Sequence, residues 1–145
     1  MKADIVIAGC GVSGLYAALN LPRDKKIVMV TKDEVEKSDS FLAQCGICVL
    51  KSEDDYDSYF EDTMRAGHYE NNKRSVEIMI RSSADVIADL ERCGVRFTKE
   101  NGQFVYTKEG AHSTPRILFH EDITGKEITS HLLSAVQGLS NVTII

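Results

Sequence analysis

Apolar positions along this chain fall into short runs broken by glycine, proline and charge, and the runs change period from one segment to the next. Ile5-Val6-Ile7-Ala8 is brief and continuously apolar, which predicts a buried strand over Asp4 to Ala8. Ser13 to Leu21 reads as a helix stopped by Pro22, and Ile27-Val28-Met29-Val30 as a second strand reaching Thr31. Lys32 to Ser40 is too charged for a core and too long for a simple turn, so it is expected to be a loop that is either functional or disordered. A helix is expected from about Asp54 to Ala66, ended by Gly67, and a longer one from Asn72 to Cys93, ended by Gly94. In the longer helix Val76, Met79, Ile80, Ala84, Val86, Ile87, Leu90 and Cys93 recur at three- and four-residue steps, as a stripe facing a core requires. Val95 to Thr98 and Phe104 to Thr107 flank Asn101-Gly102, a hairpin signal, and a last helix from about Gly125 to Gly138 leads into a strand at Val142 to Ile145. There is no internal repeat and no low-complexity tract.

Between the first strand and the first helix lies Gly9-Cys10-Gly11-Val12-Ser13-Gly14, the strand-turn-helix context that a dinucleotide diphosphate needs. Gly9 permits the tight turn, Gly11 lets the backbone approach the diphosphate, Gly14 lets helix and strand pack closely, and the helix N-terminus faces the anion. With the second strand this completes most of a βαβ unit and predicts an α/β, Rossmann-like fold. Thr31 stands where an acidic residue should end the second strand, and Lys32 follows it. The Thr31 hydroxyl can bond a ribose and Lys32 can add charge near an adenosine, but the bidentate carboxylate is missing, which counts against an NAD-linked dehydrogenase.

At 145 residues and 43% hydrophobic content the chain has the size of one ordinary domain with a real core. A formal charge of −5 without Lys/Arg clusters argues against a nucleic-acid partner. The apolar stretch Ile5 to Leu21 has Asp4 at its front, three glycines inside and no cleavage site after it. It reads as cytoplasmic core rather than a signal peptide or membrane segment. Four cysteines without a secretory signal are expected to be reduced thiols. Cys45-Gly46-Ile47-Cys48 is a CxxC pattern, but it lacks the second pair or nearby histidines that zinc needs, so no metal site is expected. The chain ends on an apolar strand residue, Ile145, where a terminus more usually frays into polar residues.

The segment Ser38-Asp39-Ser40-Phe41-Leu42-Ala43-Gln44-Cys45-Gly46-Ile47 resembles the flavin-contacting segment of the fumarate reductase and succinate dehydrogenase flavoprotein superfamily. Asp62-Thr63-Met64-Arg65-Ala66-Gly67, Glu109-Gly110-Ala111-His112-Ser113, Arg116-Ile117-Leu118 and Asp122-Ile123-Thr124-Gly125 narrow the resemblance to the L-aspartate oxidase family, over the whole chain and in order. The resemblance implies that residues 1–145 are the N-terminal part of an FAD-binding domain, with a capping domain and a helical C-terminal domain missing. It also implies that the catalytic residues lie beyond Ile145. FAD would be held by the glycine turn (Gly9, Cys10, Gly11, Val12, Ser13, Gly14), by Thr31 and Lys32, and by Asp39, Ser40, Phe41, Leu42, Ala43, Gln44, Cys45 and Gly46. Cys45 stands in place of the first glycine of the family's Gly-Gly, which matters if that position requires a left-handed backbone or lies within a side chain's width of the flavin. Asp39 stands where membrane-bound relatives have a histidine joined to FAD, so the resemblance implies a non-covalent cofactor.

The activity implied is FAD-dependent oxidation of L-aspartate to iminoaspartate for quinolinate and NAD synthesis, with oxygen or fumarate as electron acceptor and a possible coupling to quinolinate synthase. The alternatives are a succinate dehydrogenase or fumarate reductase type of flavoprotein, and a truncated, non-catalytic FAD-binding module. Glu109 is the substrate-binding candidate. In a cationic site for dicarboxylates, a carboxylate is useful for pairing with the α-ammonium that aspartate has and succinate lacks, whereas composition alone reads it as a solvated surface residue. His112 and Ser113 could bond the flavin or hold their loop, and Arg116 could serve the dicarboxylate or anchor the loop. No role is assigned to His120.

Overall fold

The computed structural model describes residues 2–145. Along the chain run β1 (Ile5–Ala8), α1 (Val12–Asn20), β2 (Ile27–Val30), α2 (Asp39–Leu42), β3 (Ile47–Cys48), α3 (Tyr56–Ala66), α4 (Lys73–Arg92), β4 (Lys99–Glu100), β5 (Gln103–Phe104), β6 (Ile117–Leu118), α5 (Thr124–Gln137) and β7 (Val142–Ile144). These elements divide between two compact units. The first runs to Cys45 and takes in Cys93–Val95 and Asp122–Ile145; the second comprises Gly46–Arg92 and Arg96–Glu121.

The first unit is built on a parallel sheet of order β1-β2-β7, with Ile5 opposite Ile27 and Ile27 opposite Val142. The central strand β2 is buried through Ile27, Val28 and Met29, the continuous apolar pattern of a parallel strand covered on both faces. On the edge strand β1, by contrast, Val6 is exposed while Ile5 and Ile7 are half-buried. Leu15 and Ala18 of α1 are buried, as are Ile128, Leu132 and Val136 of α5 at four-residue steps. Gly14 sets the packing of α1 on the first strand: a Cβ there would lie 2.1 Å from the Gly9 carbonyl oxygen and 3.3 Å from Ile7 Cγ2. The βαβ expectation and the terminal helix and strand are thus observed, with ends displaced by a residue or so.

The segment Lys32 to Ser40, expected to be a loop, contains a 3-10 turn over Val35–Lys37 with Val35 buried, and then the start of α2. Ser38 caps α2 by accepting the Phe41 N–H at 3.3 Å. A four-residue helix is too short to show a period in the sequence.

In the second unit α3 and α4 pack through Tyr59, Met64, Val76 and Ile80, with Leu50 and Phe60 against them. Asn72 caps α4, its Oδ1 accepting the Ser75 N–H at 3.0 Å, and Gly94 follows the helix at φ 98°. The buried stripe is Val76, Ile80, Ser83, Ile87 and Leu90; Met79, placed on it by periodicity, is instead exposed beside Ile78. The hairpin turns at Asn101-Gly102, both left-handed, but its strands are only two residues each. Thr98 accepts from Val105 N–H through its carbonyl and gives its own N–H to Phe119, which ends the regular ladder. The pairing of β3 with β6 (Ile47 opposite Leu118, Cys48 opposite Ile117) has no counterpart in the sequence reading, because two-residue strands separated by some seventy positions carry no local signal. Among the described residues no helix is long and apolar enough to cross a membrane.

Candidate cofactor cleft and substrate turn

The first unit holds a cleft of about 640 Å³ lined by residues 8–11, 30–34 and 37–40. Its floor is the turn from β1 into α1, where Gly9 has φ 103°, a conformation open to glycine. The N-terminus of α1 receives no cap from its own N-cap residue, Gly11, and has no acidic residue in its first turn. That end therefore presents backbone N–H groups and the positive pole of the helix dipole without a built-in anion. Ser40 reaches over from the start of α2, its Oγ accepting the Val12 N–H at 3.1 Å. A Cβ on Gly11 would meet the same Oγ at 2.9 Å, so a side chain at position 11 would push the Ser40 hydroxyl off this bond.

The rim carries both signs of charge. Asp33 accepts hydrogen bonds from Lys37 Nζ at 2.9 Å and from the Glu34 N–H at 2.8 Å, and the Lys37 ammonium holds its carboxyl below the usual range. Thr31 donates its hydroxyl to the Asp33 carbonyl at 2.7 Å, leaving only lone pairs for a ligand. Carboxylates do line the cleft, as Asp33 and Glu34, two and three residues beyond the place where the sequence reading sought one.

The second unit contains a fully buried arginine. Arg116 places its five N–H groups on five acceptors. Nε and Nη2 grip Asp55 Oδ2 and Oδ1 at 3.1 and 2.8 Å, Nη2 also reaches Ser58 Oγ at 2.7 Å, and Nη1 reaches Asp62 Oδ2 at 2.7 Å and His112 Nδ1 at 3.0 Å. The guanidinium also lies over the Tyr59 ring, 4.9 Å from its centroid. Arginine can only donate, so His112 Nδ1 is an acceptor and the ring proton sits on Nε2, 3.0 Å from Cys48 Sγ. Burial and then the Arg116 charge lower the His112 pKa, which keeps the ring neutral. Burial alone would raise the Asp62 pKa, but the Ser113 N–H, Arg116 and the Ser113 hydroxyl together hold it far below the usual carboxylate range. Burial pushes the Cys48 thiol up. His112 cannot take the thiol proton without becoming a second cation beside Arg116, so this pair is not an activated nucleophile.

Within the fold, Arg116, His112 and Ser113 tie down the loop that follows Glu109. Ser113 gives both its N–H and its hydroxyl to Asp62 Oδ2, at 2.6 and 2.7 Å. Thr114 Oγ1 donates to Asp55 at 3.1 Å, and Arg65, paired with Asp62 at 2.6 Å, donates to the Ala111 carbonyl at 3.2 Å. Glu109 is exposed in the turn just before this anchored stretch, and its carbonyl accepts the His112 N–H.

Residues 4–145 match the family model described as FAD binding domain. The chain belongs to the FAD binding domain family. It is 46% identical to the L-aspartate oxidase of Clostridium perfringens over 99% of its own length and 33% of that protein's. It is 40% identical to the L-aspartate oxidase of Clostridium acetobutylicum over 100% of its length and 34% of that protein's. The chain thus spans about a third of the length of these curated relatives. Among solved structures it superposes on Sdh1 of Mycobacterium smegmatis in complex with UQ1 with a TM-score of 0.87 at 26% identity, covering 100% of this chain and 27% of that one. On a quinol fumarate reductase chain of E. coli the TM-score is 0.93 at 21% identity, covering 99% and 26%, a likeness of fold.

FAD is therefore the cofactor of this fold, and the cleft fits a dinucleotide. The α1 terminus without an acidic residue in its first turn and the Ser40 hydroxyl form a donor set for a diphosphate, and the cleft volume lies within the usual range for cofactor sites. Of the residues singled out from the sequence, Gly9, Cys10, Gly11, Thr31, Lys32, Asp39 and Ser40 line this cleft. Val12, Ser13 and Gly14 form the first turn of α1, while Phe41 and Leu42 complete α2. Ala43 gives its carbonyl to the Gly125 N–H, and Gln44 and Cys45 are exposed beyond it. Gly46 falls in the second unit, where a Cβ would lie 2.1 Å from the Leu118 carbonyl oxygen, so its lack of a side chain serves the β3–β6 pairing. Among the described residues other than glycine, left-handed backbone occurs at His68, Tyr69, Asn101 and Glu121, and Cys45 is not among them. Cysteine at position 45 is thus accommodated without backbone strain.

Proposed function

We propose that this protein is an FAD-dependent oxidase that converts L-aspartate to iminoaspartate, the step that feeds quinolinate and NAD synthesis. On this reading residues 1–145 are the N-terminal part of its FAD-binding domain. The observation that carries the proposal is the 46% identity to an L-aspartate oxidase across 99% of the chain, against 26% to Sdh1 of Mycobacterium smegmatis and 21% to the quinol fumarate reductase chain of E. coli. FAD, when bound, would supply the oxidising power for removal of a hydride from the substrate α-carbon. The chain's own contribution is binding and orientation. The α1 N-terminus and Ser40 hold the diphosphate, and Thr31 and Lys32 with the rim carboxylates face the adenosine end. The residues from Asp39 to Gly46 continue toward the flavin. Asp39 cannot form a histidyl bond, so the cofactor is held non-covalently. Glu109 pairs with the α-ammonium of aspartate and so separates it from succinate. The catalytic base lies outside these 145 residues. The protein acts in the cytoplasm, passes electrons to oxygen or fumarate, and delivers its product to a quinolinate synthase.

The test uses the protein made from its complete reading frame and loaded with FAD. Flavin absorbance is followed anaerobically after L-aspartate or succinate. Bleaching by aspartate alone is expected, and Glu109→Gln should raise the aspartate concentration required by about tenfold or more. Bleaching by succinate alone would transfer the protein to the succinate dehydrogenase and fumarate reductase class. Bleaching by neither would leave a flavin-binding module without this activity.

A further inference from the structure

The four residues after Gly110 are each tied to a side chain from elsewhere in the second unit. Ala111 is held by Arg65, His112 by Arg116 and Cys48, Ser113 by Asp62, and Thr114 by Asp55. Glu109 is separated from this stretch by Gly110 alone, whose φ is 56°. Asp62 is the node of the arrangement. It accepts from the Ser113 N–H and hydroxyl directly, orients Arg65 toward Ala111, and receives Arg116 Nη1, the same nitrogen that meets His112 Nδ1.

A buried ion pair is a poor source of net stability, because desolvation offsets most of its Coulombic gain, and a loop that merely connected strands would not require one. Its use lies in geometry: a carboxylate gripped by four donors has one orientation, and the backbone bonded to it inherits that orientation. We propose that Asp62 is a positioning residue for substrate recognition, fixing the Glu109 turn so that the Glu109 carboxylate is presented in one place. This rests on the reading of Glu109 as the partner of the substrate ammonium. Asp62 itself is buried within α3 and acts through the loop bonded to it.

The experiment compares Asp62→Asn, Ser113→Ala, Glu109→Gln and the Asp62→Asn/Glu109→Gln double variant in the FAD-loaded protein from the complete reading frame. Amide hydrogen exchange over residues 111–114 and steady-state kinetics with L-aspartate are measured, with FAD stoichiometry as the check on folding. Asp62→Asn should speed exchange at Ser113, raise KM for aspartate by about tenfold and leave kcat within about twofold; Ser113→Ala should do the same to a lesser degree. In the Glu109→Gln background Asp62→Asn should add little to KM, because both substitutions remove the same contact. Fully additive effects, or faster exchange with unchanged KM, would overturn the positioning role. If Asp62→Asn fails to retain FAD, Ser113→Ala decides, since it removes one hydroxyl from an exposed residue and leaves the ion pairs in place. No effect of Glu109→Gln on aspartate KM would instead remove the underlying reading of Glu109.

Discussion

Replacing Arg116 by alanine should be among the most damaging single changes in the second unit. The side chain is fully buried and serves five acceptors. Its loss leaves Asp55 and Asp62 buried without their cation, although Asp55 keeps Ser58 and Thr114, and Asp62 keeps Ser113 and Arg65. Breaking a buried pair from one side costs about 3–5 kcal/mol, a large part of the ~5–15 kcal/mol that holds an ordinary domain folded. Arg116→Lys retains charge but has three donors in place of a planar fork, and should cost about 1–3 kcal/mol. Urea unfolding followed by tyrosine fluorescence is a suitable assay. The chain has no tryptophan, and four of its five tyrosines (Tyr56, Tyr59, Tyr69 and Tyr106) lie in the second unit. Both aspartates are depressed in the folded state, so the stability they contribute is present above their unfolded pKa of about 3.9 and lost as pH falls through their lower folded values. His112 is also depressed, partly by Arg116, so the wild type loses stability as pH falls below about 6.5, where the unfolded chain takes up the proton first. The gap between wild type and Arg116→Ala should therefore be widest near pH 7, begin to narrow below about 6.5 and close further below about 4. A gap under about 1 kcal/mol at neutral pH, or one independent of pH, would refute the account of Arg116 as the counter-ion of two buried carboxylates.

Two further outcomes concern the cofactor. Gly14→Ala places a methyl group against the Gly9 backbone, which cannot yield as a side chain would, so α1 must move from the first strand. FAD affinity measured by quenching of flavin fluorescence should fall by about tenfold or more, and an affinity within about twofold of wild type would count against α1 as the diphosphate site. Acid precipitation of the FAD-loaded protein should leave all flavin in the supernatant; flavin on a peptide containing Asp39 would disprove non-covalent binding.

How far each part of the molecule could be read from its residues follows from how local its determinants are. The cofactor cleft was legible because its parts lie within the first forty residues. The glycine spacing between β1 and α1, the Pro22 stop and the apolar run of β2 each state their structure in place. The rim carboxylates were missed by counting to the strand end at Thr31, although Asp33 and Glu34 follow immediately. The counter-ions of Arg116 were not legible: Asp55 and Asp62 stand 61 and 54 residues away, and no periodicity connects them. In the sequence Asp62 stands out only through a resemblance, without a physical role. The β3–β6 pairing failed for the same reason, since its two-residue strands cannot be told from loop.

The same contrast bears on what the buried network is for. A cleft made of backbone N–H groups at a helix end tolerates many side chains, because what it offers the ligand is main-chain geometry; Cys10, between Gly9 and Gly11, has its side chain buried in the core. A single exposed carboxylate offers only itself, and its value to a substrate depends on where the loop holds it. Five donors matched to five acceptors are an expensive way to stabilise a fold and an effective way to fix a loop. Changes to the Asp62–Arg116 pair should therefore be felt in two measurements at once, the stability of the second unit and the discrimination between aspartate and succinate. Substitution of an exposed residue such as Lys73 should affect neither.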